Sequence, residues 1–145
     1  MMTPQERAQK SANAMWENDS ASQRVGMKLV NVGVGSATLS MVVGEDHLNG
    51  HKICHGGYIF MLADSAFAFA CNSYNQLAVA HQNSITFAAP GKLGDLLTAN
   101  AVEVSKAGRS GIYDVTITNQ NDDALAHFRG HSRTIKGTHF TENEA

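Results

Sequence analysis

A single carboxylate, Asp64, stands in the otherwise uncharged run from Gly56 to Asn75, eight residues after the glycine that follows His55 in the triplet His55-Gly56-Gly57. A segment this apolar, bounded by glycines and asparagines, reads as a helix buried in a core, where a carboxylate needs a partner, a proton or a chemical task. Burial raises a carboxyl pKa toward the working range, which suits a general base. The glycine pair offers a second kind of chemistry. A helix N-terminus carries free N–H groups and partial positive charge, and glycine lets another molecule approach that backbone closely. Such donors fit a developing oxyanion as well as a phosphate. The competing readings are a partly wet aspartate satisfied by nearby donors, and a glycine pair that serves only a tight turn into the helix.

The polar segment leading into that helix, His47-Leu48-Asn49-Gly50-His51-Lys52-Ile53-Cys54-His55, is the expected site-forming loop. His47, His51, Cys54 and His55 are competent zinc ligands. Gly50 and the loop character, however, remove the i, i+4 geometry that would gather the histidines on one side, and no metal is expected. Cys54 as nucleophile with His55 as its base fares no better, because adjacent extended residues point to opposite faces. Gly33-Val34-Gly35 lacks the third glycine of a dinucleotide fingerprint and reads as a hairpin turn.

From Gly56 to Asp64 is about 12 Å at the helical rise, too far for both to act on one carbonyl from one chain. Two antiparallel copies of the helix would bring the amides of one subunit to the aspartate of the other, which makes dimerisation part of any shared mechanism.

The elements that must hold these groups are legible around them. Thr3-Pro4 and Glu6 suit a helix start, and Ala8, Ala12, Met15 and Trp16 give a narrow apolar stripe; residues 1–25 are expected to form a helical packing arm. Met27 to Gly44 turns strand-like, with Leu39, Met41 and Val43 alternating against Ser40 and Val42. Four further extended runs follow the helix, at about 77–89, 96–106, 113–118 and 124–135. The clearest has Tyr113, Val115 and Ile117 alternating with Asp114, Thr116 and Thr118. Turn signals at Pro90-Gly91, Gly108–Gly111 and Asn121–Asp123 are each short enough for antiparallel neighbours. One long apolar helix among antiparallel strands predicts an α+β fold in which a curved sheet wraps a central helix. Residues 136–145 are expected to be a flexible tail.

The 145 residues suit a single domain. A net charge of −2 gives no electrostatic reason for a nucleic-acid or membrane-surface partner. No basic start with an apolar run opens the chain, and the 56–75 segment is too interrupted to span a bilayer. Two cysteines, Cys54 and Cys71, fit a reducing compartment, so a cytoplasmic location is expected.

The chain resembles the hotdog-fold acyl-CoA thioesterases, and among them the phenylacetate-degradation thioesterases. The likeness is carried by Leu48-Asn49-Gly50-His51, by Cys54-His55-Gly56-Gly57 with Phe60, Leu62, Ala63 and Asp64, and by Ala68–Ser73. Further along it continues in Ile85-Thr86-Phe87, Pro90-Gly91, Gly94-Asp95, Gly111–Asp114 and Phe128-Arg129-Gly130. The resemblance implies that Asp64 acts as general base on water, or as nucleophile, at a thioester carbonyl. It also implies that the Gly56 amide polarises that carbonyl while Asn49 and His55 shape the site. In some relatives a serine or threonine on the next strand positions the water; Ala80 stands there, with Ser84 and Asn83 as speculative substitutes. Gly57 with Lys92, Lys106 and Arg109 is assigned to substrate binding, the cations toward the phosphates of coenzyme A, although all three cations read equally well as solvated charges. His127, Arg129, His131 and Arg133 alternate along the last strand as a solvent-facing edge.

The expected protein is a homo-oligomer, a dimer with shared sites that assembles into a tetramer by resemblance. It would hydrolyse acyl-CoA, with aryl-acyl groups such as phenylacetyl or hydroxyphenylacetyl first, and without metal or organic cofactor. The alternatives are a non-catalytic acyl-CoA binding protein and a hotdog-type enoyl-CoA hydratase.

Overall fold

The structure is a computed structural model and describes residues 1–142. Helix α1 (Pro4–Asn18) opens on a reciprocal cap. The Thr3 hydroxyl accepts the Glu6 N–H at 3.1 Å, and Glu6 Oε2 takes the Thr3 N–H at 2.8 Å. Asp19 breaks the arm and caps a short second helix, α2 (Ser20–Arg24), by accepting the Ser22 N–H at 3.0 Å. Ala8 and Ala12 are fully covered, and Trp16 reaches the core at Phe69 with ring centroids 6.1 Å apart.

The other elements are β1 (Lys28–Gly33), β2 (Ser36–Val42), α3 (Gly56–Cys71), β3 (Ala78–Phe87), β4 (Leu96–Ala107), β5 (Ser110–Thr118) and β6 (Ala124–Thr134). The strands form one antiparallel sheet in the order β1-β2-β4-β5-β6-β3, and α3 touches every strand of it. A sheet that reaches one helix from all its strands must curl round that helix, as the apolar run in α3 demands. Alternation sets the inward face. Tyr113, Val115 and Ile117 of β5 are buried, as are Leu39 and Met41 of β2, while Asp114 and Thr116 look outward. The glycine turn at Gly35, with φ +69°, joins β1 to β2.

Two expectations about the strands are overturned. The short turn at Pro90-Gly91 does not make β3 and β4 neighbours, since β3 pairs with β6 at the far edge of the sheet. The connecting segment is anchored elsewhere. The Cys54 N–H donates to the Gly91 carbonyl at 2.8 Å, and the Gly94 N–H and Val43 carbonyl meet at 2.8 Å, which carries the chain across the start of α3 to β2. A Cβ on Gly91 would come within 3.2 Å of Cys54 Cβ, so the crossing is close. The His127–Arg133 face also belongs to an interior strand rather than to an edge, and Arg129 there grips Asp114 through two hydrogen bonds of 2.6 and 2.8 Å.

The expected flexible tail is tied down as far as the structure describes it. Asn75 Oδ1 accepts the His139 and Phe140 N–H groups at 2.9 and 3.2 Å, and Arg7 pairs with Glu142 at 2.7 Å. Residues 143–145 lie outside the described residues.

Along α3, Ile59, Leu62, Ala63, Ala66, Phe67 and Ala70 are buried against the sheet. Gly57, Met61, Asp64 and Ala68 recur at helical spacing on a face that the chain leaves partly open.

Candidate active site

Asn49 builds the loop before α3. Its Oδ1 accepts the N–H groups of His51 at 2.9 Å and Ile53 at 3.3 Å, and its own N–H donates to the Ile53 carbonyl at 2.9 Å. The side-chain oxygen is thus committed to the loop, and Asn49 lines the adjoining groove. His55 then caps α3, its Nδ1 accepting the Gly57 N–H at 2.8 Å. A Cβ on Gly57 would lie 2.9 Å from that nitrogen, so only glycine lets the imidazole sit so close. With the Gly57 amide taken by His55, the Gly56 N–H is the open donor of the pair among the described residues. Gly56 borders an apolar groove of about 460 Å³ together with Asn49, Ile53, Ile59, Phe87 and Pro90. The Phe87 ring lies so near that a Cβ on Gly56 would meet it at 3.0 Å.

Asp64 sits half-buried further along α3, where its Oδ1 accepts a hydrogen bond of 2.9 Å from Asn83 Nδ2 on β3. Burial raises its carboxyl pKa above the ordinary aspartate value, and the Asn83 bond pulls in the opposite direction. Sequence reasoning named Asn83 only as one of two substitutes for a missing hydroxyl. Of the three, Ala80 and Ser84 are exposed, and Asn83 is the one that bonds the carboxylate.

One chain brings Asn49, His55, Gly56 and Gly57 together and leaves Asp64 on the same helix, eight residues on. The three cations are split. Lys92 follows Gly91 at the helix-start end, its N–H held by Asp95 at 2.9 Å. Lys106 and Arg109 lie by the other end of α3. The Lys106 ammonium is 4.5 Å from the centre of the Tyr74 ring, and the Arg109 guanidinium donates twice to the Thr134 carbonyl at 3.2 and 3.1 Å. The zinc grouping does not form around His47, whose Nδ1 accepts the Gly44 N–H at 2.9 Å and whose Nε2 bonds the Val25 carbonyl at 2.8 Å. Burial pushes the Cys54 thiol up to about 11, which keeps it protonated and a poor nucleophile.

A long helix gripped by a single antiparallel sheet, with an open N-terminal amide and a pKa-raised carboxylate on that helix, defines a hotdog-fold protein equipped for acyl chemistry. The model of the thioesterase superfamily matches residues 51–126. The acyl-coenzyme A thioesterase PaaI of Escherichia coli is 44% identical over 132 residues, 91% of this chain and 94% of that protein. The solved E. coli PaaI structure, from the phenylacetic acid degradation operon, superposes with a TM-score of 0.92 at 43% identity, covering 94% of this chain and 99% of that one. A Streptococcus mutans protein solved with acetyl-CoA is 30% identical, with a TM-score of 0.74 over 78% of this chain and 90% of that one. This chain belongs to the thioesterase superfamily, and the protein is a thioester hydrolase.

Proposed function

We propose that the protein hydrolyses acyl-CoA thioesters, aryl-acyl groups such as phenylacetyl and hydroxyphenylacetyl foremost, with Asp64 as general base and the Gly56 amide as the group that polarises the carbonyl. The observation that carries this reading is an apolar groove bordered by a helix-terminal N–H unengaged among the described residues, together with a carboxylate on the open face of the same helix. Water adds to the carbonyl carbon as Asp64 takes its proton, and the Gly56 N–H receives the oxyanion. The C–S bond then breaks, and the proton held by Asp64 goes to the departing thiolate, giving free acid and coenzyme A. Direct attack by Asp64 through an acyl anhydride is the other route, and trapping of an acyl-enzyme distinguishes it. Neither route calls for a metal or an organic cofactor.

The site is shared between two subunits. β3 is a ten-residue strand whose outer edge is unpaired among the described residues, with Val79 and Phe87 exposed. Such an edge is a template for a second copy. Pairing β3 with its twin about a twofold axis sets the two α3 helices antiparallel, so that Asp64 of one subunit faces the Gly56 amide of the other. Lys106 and Arg109 of one subunit then approach the helix-start end of its twin, where the phosphates of coenzyme A would lie. Dimers assemble further into a tetramer, and the enzyme works in the cytoplasm, a reading that fits two buried, unpaired cysteines.

The test is thiol release from phenylacetyl-CoA, benzoyl-CoA and a medium-chain acyl-CoA by wild type and Asp64→Asn in parallel. Wild type releases thiol, and Asp64→Asn loses about a hundredfold or more with its fold intact. Folded wild type that releases nothing from any of the three would turn the reading to acyl-CoA binding or hydration.

A further inference from the structure

We infer that Tyr74 and Glu103 hold the Lys106 ammonium in place as an unpaired cation for the phosphates of coenzyme A, which makes Tyr74 a positioning residue for the nucleotide end of the substrate. The inference rests on the acyl-CoA and shared-site reading above and goes beyond it by naming what aims the cation.

A bulge in β4 turns Lys106 toward the helix side of the sheet. The pairing with β5 runs Glu103 to Tyr113, then Ser105 to Ile112 and Lys106 to Gly111, so one extra residue is inserted between Glu103 and Ser105. Paired residues share a face, and a bulge reverses the parity of the strand beyond it. Gly111 and Tyr113 are both buried on the inner side of β5, so Lys106 stands on the same side as Glu103. Regular pairing would have put Ser105 there and sent Lys106 outward. Tyr74, three residues beyond the end of α3, meets the lysine: the ammonium lies 4.5 Å from the centre of its ring, within the range of a cation–π contact.

The ring is itself locked. Tyr74 and Tyr113 both donate their hydroxyls to Glu103 Oε1, at 2.8 and 2.9 Å. Gly35 of the β1–β2 turn closes over the group, since a Cβ on it would lie 3.1 Å from Glu103 Cβ and 3.2 Å from Tyr74 Oη. That turn is tied to both neighbours: the Gly35 N–H donates to Ser73 Oγ at 2.8 Å, and its carbonyl accepts the Glu103 N–H at 2.9 Å. Burial and the adjacent carboxylate push the Tyr74 phenol up to about 12, which keeps it a donor. With Glu103 engaged by two phenols, Lys106 forms no ion pair with it or with any other carboxylate among the described residues. The ring face thus restrains the ammonium without consuming its three donors. A cation held in this way suits a phosphate, which lysine recognises as a point charge. An uncharged acyl group leaves all the negative charge of acyl-CoA on the phosphates of its nucleotide end, and the dimer proposed above directs Lys106 and Arg109 to that end of the substrate.

The experiment compares the coenzyme A and pantetheine thioesters of the acyl group that wild type turns over fastest. Wild type, Lys106→Met, Tyr74→Leu, Tyr74→Phe and the Tyr74→Leu/Lys106→Met double variant are assayed, with melting and oligomer size checked for each. The pantetheine thioester presents the same carbonyl without a phosphate, so the quantity measured is the ratio of kcat/KM for the coenzyme A ester to that for the pantetheine ester. Lys106→Met should lower this ratio about tenfold, through KM of the coenzyme A ester, as expected for one charge-assisted bond. Tyr74→Leu should lower it about fivefold, and Tyr74→Phe by less because the ring stays. The double variant should fall no further than Lys106→Met, since Tyr74 acts through the ammonium. If Tyr74→Leu does not fold, Tyr74→Gln takes its place under the same criterion, keeping a donor for Glu103 without a ring. A ratio that drops in Lys106→Met but holds at the wild-type value when the ring is removed overturns the positioning role and leaves the phosphate contact intact. An unchanged ratio in Lys106→Met overturns the placement of the phosphates and, with it, this inference.

Discussion

The environment of Asp64 has opposite consequences for catalysis and for stability. A general base works only when ionised, and burial holds this carboxyl above the ordinary aspartate range of about 4. The expected kcat/KM therefore falls as pH drops through that raised value, with an acid limb lying above the one a solvated aspartate would give. For stability the sign reverses. The folded pKa exceeds the unfolded one, so folding favours the protonated form, and this contribution is complete below the unfolded pKa and lost as pH rises through the folded value. Asp64→Asn removes the burden of a buried charge. It should melt above wild type near neutral pH, with the difference closing as pH falls into the ordinary carboxylate range. Melting curves in a pH series check this, and a wild type that is the more stable at pH 7 would contradict it. Activity here is maintained at some expense in stability, as is usual for a functional carboxylate.

At the scale of the element, α3 depends on the histidine that precedes it. His55 is the N-cap and, in the proposed function, also shapes the site, and these two roles separate by substitution. His55→Ala leaves the Gly57 N–H without its acceptor and should cost about 1 kcal/mol. His55→Ser restores a capping oxygen without the imidazole, so denaturant titration should place it near wild type. Its kcat will stay low if the ring orients the substrate. Equal stability of the alanine and serine variants would show that the cap contributes nothing. The helix start and the β5 alternation were open to sequence reasoning because both depend on near neighbours in the chain. The bulge in β3 between Ala80 and Gln82 was not, since the insertion exists only relative to β6. The resemblance pointed to Ala80, whereas in the fold it is Asn83 that bonds Asp64.

Under the proposed function, the assembled molecule brings together what one helix holds about 12 Å apart. Mixing Asp64→Asn subunits with Asn49→Ala subunits tests this directly. Heterodimers then contain one site built wholly from intact groups and one with both lesions. Full exchange should bring the mixture to about one quarter of wild-type activity, from two nearly inactive parents. No recovery despite exchange, shown by mass spectrometry of differently tagged subunits, would place a complete site within a single chain. The split of Lys92 from Lys106 and Arg109 is a matter of the same scale. As sequence they are three cations near turns; in the fold they flank opposite ends of α3, and only the proposed dimer would bring them together.

The residues by themselves determined the apolar helix and its glycine entrance, the lone carboxylate within it, the alternating strands and the family likeness, because each is a pattern of chemical type along a short stretch of chain. Tertiary structure decided the rest. It moved β3 to the far edge beside β6, held the chain beyond β6 as far as Glu142, assigned the His55 nitrogen to Gly57 and left Gly56 open, and turned Asn83 onto Asp64. All of these depend on which distant segments meet, and a sequence sets those meetings only through the balance of every contact at once.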